Sequence, residues 1–291
     1  MRERPDSFSC AACAVSLTRE ANGVFSTPGN AAVSFPDDGD DLLVELEGAS
    51  FWFRHRNAVI ALALKHFPIS GPLWDVGGGN GFQALALQRD GFPVVVVEPG
   101  LARSNNAAVR GLTVVRGTLE AIRLPGGALA GVSLFDVVEH LPHPATLLGE
   151  CRRVLAPHGR LFVTVPAYQA LWSEADDYAQ HQRRYTRRAL AAELRRAGFE
   201  LEFSSYYFQS LVLPIAIFRA LPYRLSLHRV ADRAEVATGE HAPGGFSQRL
   251  VERLLALELA GLNKGRRPRF GASIVAVASP SAVGKRGQSA D

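Results

Sequence analysis

Cysteine is scarce in this sequence. Cys10, Cys13 and Cys151 are the only three in 291 residues, which excludes a disulfide framework. Lysine is equally rare, with only Lys65, Lys264 and Lys285, so nearly all the positive charge is guanidinium. The formal net charge is +4 and the excess is spread along the chain. That argues against nucleic acid, which needs basic residues clustered on one face. Long hydrophobic runs are also missing. The longest, LVLPIAIF at 211–218, is too short to span a bilayer. The opening MRERPDSFSCAACAV holds no apolar segment of secretory length, so the expected compartment is the cytoplasm. What is present suits a folded protein: 47% hydrophobic and 21% charged residues, enough for a sizeable core.

Residues 1–45 carry turn formers (STPGN, PDDGDD) and weak periodicity, and read as an irregular N-terminal extension. A helix is expected over about 47–67, ended by Pro68 and Gly71. Strand and helix patterns then alternate. PLWDV, PVVVVE, LTVVRG, ALAGVSLFDVV and RLFVTVP read as strands. GFQALALQRDG, LARSNNAAVRG and PATLLGECRRVLAPHG read as helices, the last ended by Pro157 and Gly159. This rhythm predicts an α/β fold with a Rossmann-like, doubly wound sheet. Ligands of such sheets bind at the carboxyl ends of the strands. Beyond Pro166 the pattern predicts a helix, RRALAAELRRAGF, and a strand, FELEFSSYYFQ. A helical insertion follows over about 209–265, before the final strand GASIVAVASP. The domain is therefore placed at 46–279, with a disordered tail at 280–291.

One stretch carries chemistry by itself: LWDVGGGNGF, residues 73–82. Read from Gly79, GNGFQA fits the G-x-G-x-x-A form of a dinucleotide fingerprint. That parse implies an NAD-dependent oxidoreductase. Read from Asp75, DVGGGNG places an acid two residues before the first glycine. A pyrophosphate would be repelled by that carboxylate. S-adenosylmethionine carries a sulfonium and an ammonium instead, and an acid suits it. Gly77, Gly79 and Gly81 let the backbone turn sharply and approach a ligand closely. The apolar strand ends at Val76, which favours the Asp75 parse. Glu98 ends the next strand, where a carboxylate can accept hydrogen bonds from both ribose hydroxyls of either nucleoside.

Taken in order along the chain, these motifs resemble the class I S-adenosylmethionine-dependent methyltransferases. The similarity is to the bacterial type 11/12/23 group, which has an aromatic segment like FWFR (51–54) before the glycine turn. It covers roughly 45–278. LWDVGGGNGF resembles the family's first motif, with Gly78 where many members carry cysteine. VVRGTLEAIRLPGG resembles the segment that contacts adenine. Many members have an acid after its glycine, whereas Gly117 is followed here by Thr118. The resemblance then leaves the backbone N–H groups of Thr118 and Leu119 to bind the ring edge. LFDVVEHLPHP resembles a D-x-x-E-H-x-x-x-P signature, and HQRRYT an H-x-R-R-Y-T element. The resemblance implies a seven-stranded sheet with its last strand, GASIVAVA, antiparallel. It also implies S-adenosylmethionine as cofactor and a methyl acceptor bound beyond the fifth strand.

Several side chains have two readings each. Arg56 or Arg54 could pair with the cofactor carboxylate, or the FWFR segment could simply pack. Phe135 could face adenine or the core. His140 could be a general base, since imidazole titrates near neutral pH, or a structural histidine. His181 and Tyr185 fall where the family builds its acceptor pocket, with Trp172 nearby. The alternative is an arginine–acid network with Asp176 and Asp177. Cys10 and Cys13 form a C-x-x-C without a second pair, so no metal site is expected. The stretch 206–229 is apolar with arginines at one end. It reads as a packed or dimer-forming helix, or as an element that approaches lipid or a lipid-linked acceptor. The acceptor is read as a small or carrier-linked molecule methylated on oxygen or nitrogen. A non-catalytic binding protein on the same fold is the remaining alternative.

Overall fold

The computed structural model describes residues 7–9, 15–27, 50–226 and 245–281. The Cys10–Cys13 pair, the turn-rich stretch 28–49, residues 227–244 and the tail from 282 lie outside the described residues. Three short strands come first: β1 (Ser7–Ser9), β2 (Ser16–Arg19) and β3 (Phe25–Ser26). After α1 (Phe51–His66) the chain alternates through β4 (Leu73–Val76), α2 (Phe82–Arg89), β5 (Val94–Val97), α3 (Leu101–Val109) and β6 (Thr113–Arg116). It continues with α4 (Leu119–Ile122), β7 (Leu129–Phe135), α5 (Pro144–Val154) and β8 (Leu155–Pro166).

The five strands β6-β5-β4-β7-β8 are parallel neighbours in that order. Their near-continuous apolar runs follow from this, because a central parallel strand is covered on both faces. The alternation of each strand splits the core in two. Val97, Val115, Leu161 and Val163 join Leu148 and Val154 of α5. Val96, Val114 and Phe162 join Ile60 and Leu64 of α1 and Leu87 of α2.

Next come α6 (Glu174–Tyr178), α7 (Arg187–Arg196), β9 (Phe199–Tyr207) and a helical insertion. The insertion holds α8 (Val212–Ile215), a π turn at Ala216–Ala220, α9 (Leu221–Arg224) and α10 (Gly245–Asn263). The final strand, β10 (Ser273–Pro280), slots antiparallel between β8 and β9. The last strand is thus reversed, as expected.

Two expectations need correction. The sheet has ten strands, because part of the N-terminal extension is ordered: β3 pairs in parallel with β6, and β2 and β1 follow outward. Strands of two to four residues are too short to show alternation. They are set by distant partners: Phe25 pairs with Val115, Val24 packs into the core cluster of Ile60 and Leu64, and Glu20 pairs with Arg116. The helix expected to run to Gly159 stops at Val154. There Leu155 enters register with Leu129 of β7, and sheet pairing overrides the helical pattern. No helix among the described residues is long and apolar enough to cross a membrane.

One buried carboxylate sets how α1 meets the sheet. Glu258 of α10 lies 2.9 Å from His55 Nε2 on α1. It also accepts from the backbone N–H groups of Phe208 (2.7 Å) and Gln209 (2.6 Å), just past β9. Phe208 takes a left-handed φ of 63° there and stacks on Trp52 with ring centroids 4.0 Å apart. Glu258→Ala would leave the two N–H groups and His55 without this partner. A loss of about 3 kcal/mol is expected, because removing one member of a buried charged network strands the others. Urea unfolding measures it, and wild-type stability in the variant would rule the contact out as a structural clamp.

Candidate active site

The glycine turn forms where β4, the central strand, ends. Gly77 donates to Val97 O of β5 (2.8 Å), which starts the turn. Gly81 starts α2 with φ 81°, and a Cβ there would lie 2.5 Å from Leu112 Cδ1 and 2.9 Å from Ala107 Cβ. Only glycine meets both the conformation and the space. Asp75 pairs across to Ser133 of β7, whose hydroxyl donates to Oδ1 at 2.8 Å. Its other oxygen is buried without a hydrogen-bond partner. A Cβ at Gly78 would come within 2.9 Å of that oxygen, so the glycine at 78 leaves room for the carboxylate beneath the turn. Burial pushes the Asp75 carboxyl up to about 6, against smaller lowering effects of Ser133 and Arg56. An orphaned buried acid under a glycine turn fits a cationic ligand above it.

Glu98 is also committed to the turn. Its oxygens accept from Gly79 N (2.9 Å) and Gly100 N (2.8 Å). It thereby clamps the loop to the end of β5, and any ribose contact must use its remaining lone pairs. Thr118 Oγ1 caps α4 by accepting from Ala121 N at 3.3 Å, and the Leu119 side chain is fully buried. Their side chains are thus absorbed by local structure, and only backbone groups remain for a ligand. Phe135 is a core residue beside Phe162 and Tyr207.

A cavity of about 320 Å³ opens at the carboxyl ends of β4, β7 and β8, within the usual size of small-molecule sites. Of the residues predicted from sequence, Arg56, Gly79, His140 and His181 line it. Trp52 and Phe53 line it as well, while Arg54 turns away to Glu252 on α10 (2.8 Å). Arg56 Nη1 donates to Asp136 Oδ2 at 2.5 Å. Asp136 has a left-handed φ of 55° and is held by Thr164 through both its N–H and its Oδ1. Arg56 is therefore positioned at the cavity wall by the first acid of the D-x-x-E-H signature.

The far wall is built on Asp176 of α6. Its buried carboxylate accepts two bonds from Arg184 (2.7 and 2.9 Å) and one from Ser173 N (2.8 Å). It also lies 2.8 Å from His181 Nδ1. Burial alone would raise this carboxyl, but the His181 and Arg184 hydrogen bonds outweigh it and hold the group below its ordinary range. The arginine–acid network expected as an alternative therefore exists, and it positions His181. His140 packs edge-on against His181 with centroids 4.7 Å apart. Burial and the neighbouring His181 charge lower His140 to about 4. That makes it a neutral imidazole but a weak base.

Tyr185 takes a different place. It does not line the cavity: its ring is buried in the core with Leu190 and Tyr206, and burial pushes its hydroxyl up to about 12. Trp172 likewise turns to Asp177, 2.9 Å away, outside this cavity. Glu139 lies in the cavity wall and had no role in the sequence reading. It is fully buried, and neither carboxylate oxygen has a hydrogen-bond partner. Burial first, and the Asp136 charge second, raise it well above the ordinary carboxylate range. Only its place in the D-x-x-E-H spacing hinted at it.

Asp75 gives a test with a defined sign. Its pKa is 3.8 ordinarily and about 6 here. The folded state therefore holds the proton more tightly than the unfolded chain. This contribution is fully stabilising below pH 4, and is lost as pH rises to about 6, by roughly 3 kcal/mol. Asp75→Asn should remove that slope and raise stability at pH 8 by roughly 1–2 kcal/mol. It should also weaken S-adenosylhomocysteine binding about tenfold, the worth of one charged contact. Thermal unfolding across pH, with titration calorimetry, checks both. Unchanged ligand affinity would remove Asp75 from the cofactor site.

Comparison with known proteins agrees with this geometry. The methyltransferase domain family matches residues 52–202, more than half of the chain. A protein of Mycolicibacterium smegmatis named "Probable S-adenosylmethionine-dependent methyltransferase" is 28% identical over 180 residues, covering 60% of this chain and 70% of that protein. The ubiquinone biosynthesis O-methyltransferase of Xylella fastidiosa is 29% identical over 47% of this chain and 65% of its own length. Among solved structures, the [4+2]-cyclase SpnF is 18% identical with a TM-score of 0.55, covering 84% of this chain and 94% of that one. At that identity the likeness concerns the fold alone, and a fold can host several chemistries. The family match decides between the two parses of the glycine turn in favour of S-adenosylmethionine over a nicotinamide dinucleotide. The chain belongs to the methyltransferase domain family and is a class I S-adenosylmethionine-dependent methyltransferase.

Proposed function

We propose that this enzyme methylates a hydroxyl oxygen on an apolar small molecule or on a lipid-linked acceptor. One observation carries the reading. A single cavity joins the glycine turn to a histidine whose Nδ1 is held by a buried carboxylate, His181 on Asp176. S-adenosylmethionine supplies an electrophilic methyl group, and its thioether leaving group needs no protonation. Arg56, Asp75, Glu98 and the glycine turn are the residues to hold it. The rest of the work falls to the chain: placing an oxygen at attack distance and removing its proton. With Asp176 on Nδ1, Nε2 of His181 is the nitrogen left to take a hydroxyl proton. His140, lowered to about 4, is too weak a base for that role.

The cavity mouth bears on the nature of the acceptor. Ile215 and Arg219 line the cavity, while Leu213, Ile217, Phe218 and Leu221 on the same segment are exposed. An apolar face beside a site opening suits a greasy acceptor tail or a lipid surface. The Xylella relative's name, which concerns ubiquinone synthesis, points the same way.

A phenol with a prenyl tail and labelled S-adenosylmethionine test the proposal. Methyl ether formation is expected. His181→Ala should lower kcat about 10²–10⁴-fold, the usual worth of a positioned base, with little change in KM for the methyl donor. Wild-type kcat in that variant would place the base elsewhere. Phe218→Glu should raise KM for the prenylated phenol and leave KM for a tailless analogue unchanged. An equal change for both would remove Phe218 and its segment from acceptor binding.

A further inference from the structure

We propose that Glu139, His140 and His181 form a binding site for a divalent first-row cation. One ligand atom from each lies within 4.8 Å of the others. Ligands on one ion, at bonds of about 2.0–2.2 Å, stand roughly 3–4 Å apart. Small rotamer adjustments therefore close the set. Two imidazoles and one carboxylate leave coordination positions open, the donor set that zinc, iron, cobalt and manganese accept in catalytic sites.

Three further observations point to an ion. First, the Glu139 carboxylate is buried in the cavity wall with no hydrogen-bond partner on either oxygen. A buried carboxylate is retained at such expense where something binds it. Second, the arginines that act on it, Arg56 and Arg184, are each paired already, with Asp136 and Asp176. They supply no direct ion pair to Glu139 among the described residues. Third, His181 Nδ1 is fixed by the Asp176 carboxylate at 2.8 Å. A carboxylate on the outer nitrogen is the support that metal-binding histidines commonly have. It leaves Nε2 for the ion. The segment is also braced: Gln182 N donates to Glu139 O at 2.7 Å, tying the two halves of the cluster together.

The use of the ion rests on the O-methyl transfer reading. An acceptor hydroxyl at an open position would form an oxygen–metal bond and lose its proton to water. His181 would then act as a ligand instead of a base, so the two roles are alternatives.

Binding can be measured without acceptor or methyl donor, and so stands or falls separately from methyl transfer. The chelator-treated full chain, in a Cys10→Ser/Cys13→Ser background, is titrated with Co²⁺, Zn²⁺ and Mn²⁺ by calorimetry. Visible absorption follows Co²⁺. One ion per chain is expected. Glu139→Gln and His140→Ala should abolish binding, and Asp176→Asn should weaken it about 10–100-fold. Glu139→Gln replaces an unpartnered buried carboxyl by a group of equal size. An unchanged or raised melting temperature shows that it folds. No binding at millimolar metal, or equal Co²⁺ binding in Glu139→Gln, overturns the site. Methyl transfer that survives chelation unchanged overturns its catalytic use.

Discussion

A carboxylate taken out of water must find hydrogen bonds or a counter-charge, and this constraint organises the carboxyl edge of the sheet. Five acids meet it there in different ways. Glu98 is met by two backbone N–H groups, Gly79 of the glycine turn and Gly100 just past β5. Asp136 is met by Arg56 and Thr164, and Asp176 by Arg184, Ser173 and His181. Asp75 is met on one oxygen only, and Glu139 on neither. The satisfied acids build the frame. The unsatisfied two, Asp75 and Glu139, are the acids on which the proposed ligand contacts rest.

The same constraint acts through the helices behind the site. Glu258 draws His55 of α1 and the chain after β9 onto α10. Arg54 is taken outward by Glu252. With those positions fixed, the helical spacing turns Trp52, Phe53 and Arg56 toward the cavity. Arg56 then reaches Asp136, so a contact remote from the cavity sets the position of a residue in its wall.

How much was legible in the sequence follows from the range of each interaction. The parallel core was readable because each strand is a continuous apolar run punctuated by glycine. The glycine turn was readable because its conformation excludes side chains at Gly77 and Gly81, where a Cβ would strike Val137 or Leu112. The N-terminal strands were not readable, since their partners lie far along the chain: Phe25 pairs with Val115. Phe135 offered two readings because an aromatic ring beside a site packs into a core as readily as it meets a ligand, and the fold turned it inward. Tyr185, placed at the acceptor pocket, also went into the core.

The linear order of residues determined the strand–helix rhythm, the acid–glycine turn and the choice of cofactor, because all three depend on neighbours within a few positions. Only the tertiary structure decided what the acids and histidines do. Glu139 and His140 precede His181 by some forty residues, and Asp176 sits on a separate short helix. Their grouping depends on two strand ends meeting at one edge of the sheet. It depends equally on burial, which moves His140 to about 4 and leaves Glu139 without a partner. Burial is a property of the whole packed chain, and no local pattern carries it.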